Sequence, residues 1–158
     1  MTHRPRLALL SSLLVALVSV ASVTTVSCGG GEPESVGAYI DSADRYARSV
    51  CECEYNSLAL LFAGKTPYKS KEACLSDLPA NSAERGCVEG LFGDAVVDYS
   101  AVLDCRADAY ARSSTCLNAL TCTDTSRTDC YDALDDEYKQ CPDLPNDVEK
   151  QLNDCLYN

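Results

Sequence analysis

Eleven cysteines and a dense set of carboxylates are the residues of this 158-residue chain that could do chemistry. Cys51-Glu52-Cys53 brings two thiols within two positions, a spacing usable by a redox pair or by two thiolate ligands of a metal. A redox thiol needs a lowered pKa, supplied by a nearby cation or a helix N-terminus. Here the neighbours are Glu52 and Glu54, and both oppose thiolate formation. Structural disulfides are therefore the expected state of Cys51 and Cys53. Asp132, Asp135, Asp136 and Glu137 form a second cluster. Calcium takes oxygen ligands only, but the EF-hand spacing and its glycine are missing. Asp132 and Asp136 would suit a carboxylate hydrolase only if they faced a deep pocket. A solvated helix face is the preferred reading, and Asp41 and Asp44 belong with it. The only histidine, His3, lies in the N-terminal segment, so the rest of the chain lacks the commonest general base and metal ligand. Phosphate loops, nucleophile elbows and zinc-finger spacings are absent. The chain reads as non-enzymatic, with no metal and no cofactor; the carboxylate hydrolase is the lesser alternative.

The eleventh cysteine makes the count odd, and Cys28 is the candidate to stand apart. The chain opens MTHRPR, with Arg4 and Arg6 and no acid, and an apolar run follows from Leu7 to Val26. A charged start and an apolar middle make a secretory signal peptide over 1–27. A retained membrane helix is the rival, because the run is near bilayer-spanning length. Ser19-Val20-Ala21 offers ordinary signal peptidase a small-x-small site. Thr25-Val26-Ser27-Cys28 resembles the lipobox of bacterial lipoproteins, with Thr25 where Leu is usual. The resemblance implies a diacylglyceryl thioether on Cys28, and Gly29 in place of Asp implies export to the outer membrane. Gly29 to Ser35 would be the flexible tether of an anchored domain, leaving 36–158 as one domain.

Removing the leader leaves ten further cysteines, an even set suited to five disulfides. It also removes Arg4 and Arg6, so 11 basic residues face 24 acidic ones and the formal charge becomes −13. Such a surface repels nucleic acid and anionic headgroups. The expected partners are the membrane, through the N-terminal lipid, and a protein, of basic character; nucleic acid is excluded.

The elements that must position these cysteines read as all-α: a small disulfide-stapled bundle of about five to six helices, including antiparallel hairpins. Segment 36–63 carries Tyr39, Ala43, Tyr46, Ala47, Val50 and Cys53 on one helical face. Gly64 would end it. Helices are expected at 69–78, 82–92, 94–120, from Ser126 to about Gln140, and from Asn146 to about Leu156. Asn81 with Glu84, and Asn146 with Glu149, have capping-box spacing. No segment alternates as a strand would.

Cys105 and Cys116 are separated by ten residues, as are Cys130 and Cys141, and the two pairs mirror each other about residue 123. A spacing of eleven positions is about three helical turns, so each pair shares a helix face. An antiparallel hairpin folded at 121–125 would set Cys116 opposite Cys130 and Cys105 opposite Cys141. The arrangement resembles the twin C-x9-C hairpin of coiled-coil-helix–coiled-coil-helix proteins. That resemblance implies the same outer-with-outer and inner-with-inner pairing, and it implies no function. Cys74 and Cys87 straddle the Pro79–Asn81 break and could staple a second hairpin. Cys51, Cys53, Cys122 and Cys155 would then pair among themselves; a rival is Cys53 with Cys74, across Gly64.

Nine tyrosines stand beside two phenylalanines and no tryptophan, a balance at home either in contact surfaces or half-buried in a small core. CGGGEP at 28–33, the even set of ten cysteines and CPDLP at 141–145 together resemble the cysteine-rich lipoproteins of myxobacteria. The reading is an envelope lipoprotein acting as a surface binding or structural module. The alternative is a secreted binding factor, such as an inhibitor of a basic enzyme or toxin.

Overall fold

The computed structural model describes residues 34–56, 67–93, 95 and 97–157. The leader over 1–27, the lipid site Cys28 and most of the tether lie outside the described residues. Six helices and no strand occur among those described: α1 Glu34–Glu54, α2 Lys71–Asp77, α3 Ser82–Gly93, α4 Ser100–Asn118, α5 Arg127–Tyr138 and α6 Asn146–Tyr157. The fold is a disulfide-stapled helical bundle. No helix among the described residues is long and apolar enough to cross a membrane.

Local chemistry explains three of the six helix starts. Ser70 caps α2 by accepting from the Ala73 N–H. Asn81 and Glu84 form a complete capping box at α3: Asn81 Oδ1 accepts from the Ala83 and Glu84 N–H groups, and Glu84 Oε2 accepts from the Asn81 N–H. α4 opens at Ser100, later than the expected start at residue 94. Asp98 Oδ1 takes the Ser100 N–H at 2.9 Å and satisfies one of the unpaired donors of a helix start there. Asn146 and Glu149 do not make a capping box. The Glu149 carboxylate is drawn away to the buried Arg106, whose charge needs a counter-ion more than a helix end needs a second cap. α1 opens at Glu34, so the last two residues of the expected tether are helical.

α1 and α4 share the most extensive packing among the described helices, and they run parallel. Val36 meets Leu103 in one core cluster, Ser49 meets Ser114, and Cys53 is bonded to Cys122. Small residues let the two backbones approach: the Ser49 and Ser114 hydroxyls are 2.8 Å apart in the interior. α5 folds back antiparallel on α4, while α3 packs on α1 and α6. The main core joins Val36, Tyr39 and Ile40 of α1 to Val88 and Phe92 of α3, Leu103 of α4 and Leu152 of α6.

Five disulfides hold this bundle: Cys51–Cys74, Cys53–Cys122, Cys87–Cys155, Cys105–Cys141 and Cys116–Cys130. The last two lock the α4–α5 hairpin. Cys74 and Cys87 are not bonded to each other, a correction to the sequence expectation; they take Cys51 and Cys155, so of the remaining four only Cys53 and Cys122 pair between themselves, and Cys53 is not bonded to Cys74. Residues two apart on a helix point about 200° apart, so Cys51 and Cys53 serve different neighbours. Cys51 faces α2 and Cys53 faces the 121–125 turn. Mirror spacing alone cannot pair α2 with α3, because α3 turns away to α1 and α6: Arg85 is held by Asp41 and Asp44 at 2.5 and 2.6 Å, and Cys87 reaches Cys155. By chain entropy, the two bonds spanning 69 and 68 residues each constrain the unfolded chain by about 4 kcal/mol, against about 3 kcal/mol for the 14-residue span of Cys116–Cys130. This density of cross-links belongs to an oxidising, extracytoplasmic environment.

Candidate functional site

Five of the nine tyrosines meet in one column, Tyr39 buried and the other four half-buried. Tyr39 and Tyr46 are seven residues apart on α1, and Tyr131 and Tyr138 seven apart on α5. Two helical turns bring each pair to one face. Tyr110 of α4 lies between them. Ring centroids are 6.1 Å apart for Tyr39–Tyr110, 5.3 Å for Tyr46–Tyr110, 6.5 Å for Tyr46–Tyr131 and 5.8 Å for Tyr110–Tyr138. These tilted and edge-on geometries suit the ring quadrupoles.

A salt-bridged arginine closes each end of the column. The Arg106 guanidinium sits 4.6 Å from the Tyr138 centroid and grips Glu149 with two hydrogen bonds of 3.2 and 2.7 Å. Burial, the largest single influence, pulls its pKa down; the bonds to Glu149 together with the neighbouring Tyr138 and Tyr39 phenols offset that and leave it raised. At the other end the Tyr131 hydroxyl donates to Glu54, which also accepts from Arg127 Nε at 2.7 Å. Arg127 Nη1 further donates to the Leu117 carbonyl at 3.0 Å, at the end of α4. Burial first, and the bond to Glu54 second, push the Tyr131 phenol well above its ordinary value. Burial also pushes Tyr138 up, against the pull of Arg106. Tyr68 is raised by burial and by its bond to Asp77. Phenols held neutral in this way are donors and packing surface, neither bases nor nucleophiles.

The carboxylates named from the sequence are placed differently. Asp132, Asp135 and Asp136 are exposed, and Asp135 accepts from Lys139 one turn on. Glu137 is half-buried and accepts from Arg112 Nε at 2.7 Å. Asp132 and Asp136 lie on the open side of α5 and line no described cleft. Asp44 is engaged twice, by Arg85 and by the Ala80 N–H at 2.8 Å. Among the described residues no group of three or more His, Cys, Asp or Glu side chains is placed to hold a metal ion.

Charge is distributed unevenly. Of the ten described lysines and arginines, seven are in salt bridges within the fold. Asp104, Asp108, Asp129, Asp132 and Asp136 are all exposed, so negative charge faces outward, while most cations are already engaged by carboxylates of the fold, Arg106 and Arg127 in the interior and Arg112, Lys139 and Lys150 at the surface.

A shallow cleft of about 180 Å³ opens where the start of α1 meets the end of α3 and the start of α4. Ser35, Val36, Phe92, Val97, Tyr99 and Leu103 line it. The sequence reading missed this cleft and the two arginine closures. The seven-residue spacing of Tyr39/Tyr46 and of Tyr131/Tyr138 was the available signal for the column. Comparison with protein-family models, with curated proteins and with solved structures finds no match for this chain.

Proposed function

We propose that the protein is an exported bacterial envelope lipoprotein, tethered through Cys28 at the outer membrane or cell surface. Its domain is a non-catalytic binding or structural module. One observation carries the reading: every cysteine from Cys51 to Cys155 is used in a disulfide. By count Cys28 is then left over, and it stands directly behind the lipobox-like Thr25-Val26-Ser27. A free thiol is awkward in an oxidising compartment, whereas a thioether is not.

The binding role is assigned by charge. The outward acids, with most cations already paired within the fold, favour a basic protein partner over nucleic acid. The tyrosine column is taken up by ring contacts among its own helices, so the exposed acids form the contact face.

The intact mass of the mature protein, taken from membranes without and then with reductant, tests this. A chain starting at Cys28 with a diacylglyceryl adduct, gaining ten protons on reduction of its five disulfides, is the expected result. A start at Ser22 without an adduct overturns the anchor and favours the secreted inhibitor.

A further inference from the structure

The cleft lies at the end of α1 from which the chain leads back toward Cys28. Ser35 and Val36, in the first turn of α1, line the cleft. Cys28 precedes Glu34 by six residues, which span at most about 21 Å when fully extended. A lipid on Cys28 therefore keeps this end of α1 within that reach of the bilayer. Val97 at the cleft is 58% exposed, the single exposed large hydrophobic among the described residues. Beneath it lie Phe92, Tyr99 and Leu103, with Phe92 and Tyr99 in an edge contact at 5.8 Å. The opposite end of α1, about 31 Å away along its 21 residues, meets the 121–125 turn, where Thr121, Thr123 and Thr125 are exposed.

Resting on the anchor proposed above, we infer that the Val97 cleft is a membrane seat: it docks on the lipid surface, and Val97 enters the interface. The cleft is lined by polar Ser35, Asp98 and Ser100 as well as by Val97, and its exposed acids, Asp98 with the neighbouring Glu34, set the lipid chemistry. They repel anionic headgroups and accept the ammonium of phosphatidylethanolamine, so the seat is on zwitterionic lipid.

Hydrogen exchange on the full mature chain, bound to vesicles of phosphatidylethanolamine and phosphatidylcholine, tests the seat against the Cys28→Ala chain in solution. The first amides of α4 lack partners in their own helix and report directly on cover. Amides of residues 97–101 slow by on the order of tenfold on vesicles, while those of 121–125 do not change. Val97→Asp, a change at an exposed position, removes that slowing and leaves the chain floating with the vesicles. Unchanged exchange at 97–101 in a chain that floats overturns the seat and leaves the anchor standing. A wild-type chain that does not float overturns the anchor itself. Slowing that persists in the lipidated chain without any bilayer assigns the cleft to the chain's own acyl groups and overturns the bilayer seat.

Discussion

Arg127 places Nε 2.7 Å from Glu54 Oε1, and the other oxygen of that carboxylate accepts the Tyr131 hydroxyl. Both side chains of the ion pair are largely buried, 6% and 18% exposed. One arginine thus joins the end of α1, the end of α4 and the start of α5.

Removing it strands a carboxylate in the interior. Arg127→Met is expected to cost about 3 kcal/mol, because one partner of a buried pair is left without its counter-charge. The Lys139–Asp135 pair lies in solvent, so Lys139→Ala should change stability by less than about 0.5 kcal/mol. Urea unfolding with the disulfides intact measures both; equal costs would contradict the assignment.

The raised phenols set an alkaline limit. Tyr68, Tyr131 and Tyr138 have folded-state values above the ordinary one, near 10 in an unfolded chain. Above about 10 the unfolded state loses these protons first, so stability is complete below that pH and falls as pH rises beyond it. Phenolate absorbance should therefore show a late group of tyrosines ionising together with the loss of helical circular dichroism. Tyr131→Phe should remove one member of that group.

Exposure ranks the disulfides for reduction. Cys51 and Cys74 are both fully buried, whereas Cys122, Cys87 and Cys116 are exposed. Thiol exchange needs an accessible sulfur. Limited reduction of the native protein, followed by alkylation and mass mapping, should label Cys53 with Cys122, or Cys87 with Cys155, well before Cys51 with Cys74. Early labelling of Cys51 would mean that α2 opens without the rest of the bundle.

The close approach of α1 and α4 depends on side-chain size. Ser114→Leu should cost about 2 kcal/mol or more by overpacking against Ser49. Ser114→Ala loses one hydrogen bond in the interior and should cost about 1 kcal/mol. Thermal unfolding of the two variants distinguishes them; a Leu variant as stable as the wild type would show that the helices can separate freely.

Some of this was legible in the sequence because it is local. Helical class follows from apolar spacing and from capping chemistry such as Asn81 with Glu84, where every partner lies within a turn. The α4–α5 hairpin is nearly as local. Its helices are joined by a short turn, and cysteines mirrored about residue 123 face each other whenever that turn closes. Glu149 shows where such reasoning ends: its spacing matches a cap, yet a buried guanidinium 43 residues away competes for the same oxygens and wins.

From the sequence alone came the helical class, the odd cysteine at Cys28 and the outward negative charge. The tertiary structure decided the partners of Cys51, Cys74, Cys87 and Cys155, the parallel course of α1 and α4, the tyrosine column between its two arginines, and the cleft at the start of α1. Each of these depends on which helix faces which across tens of residues. That choice is made by burying Tyr39, Ile40, Val88, Leu103 and Leu152 together in one core, and no spacing within a single helix encodes it.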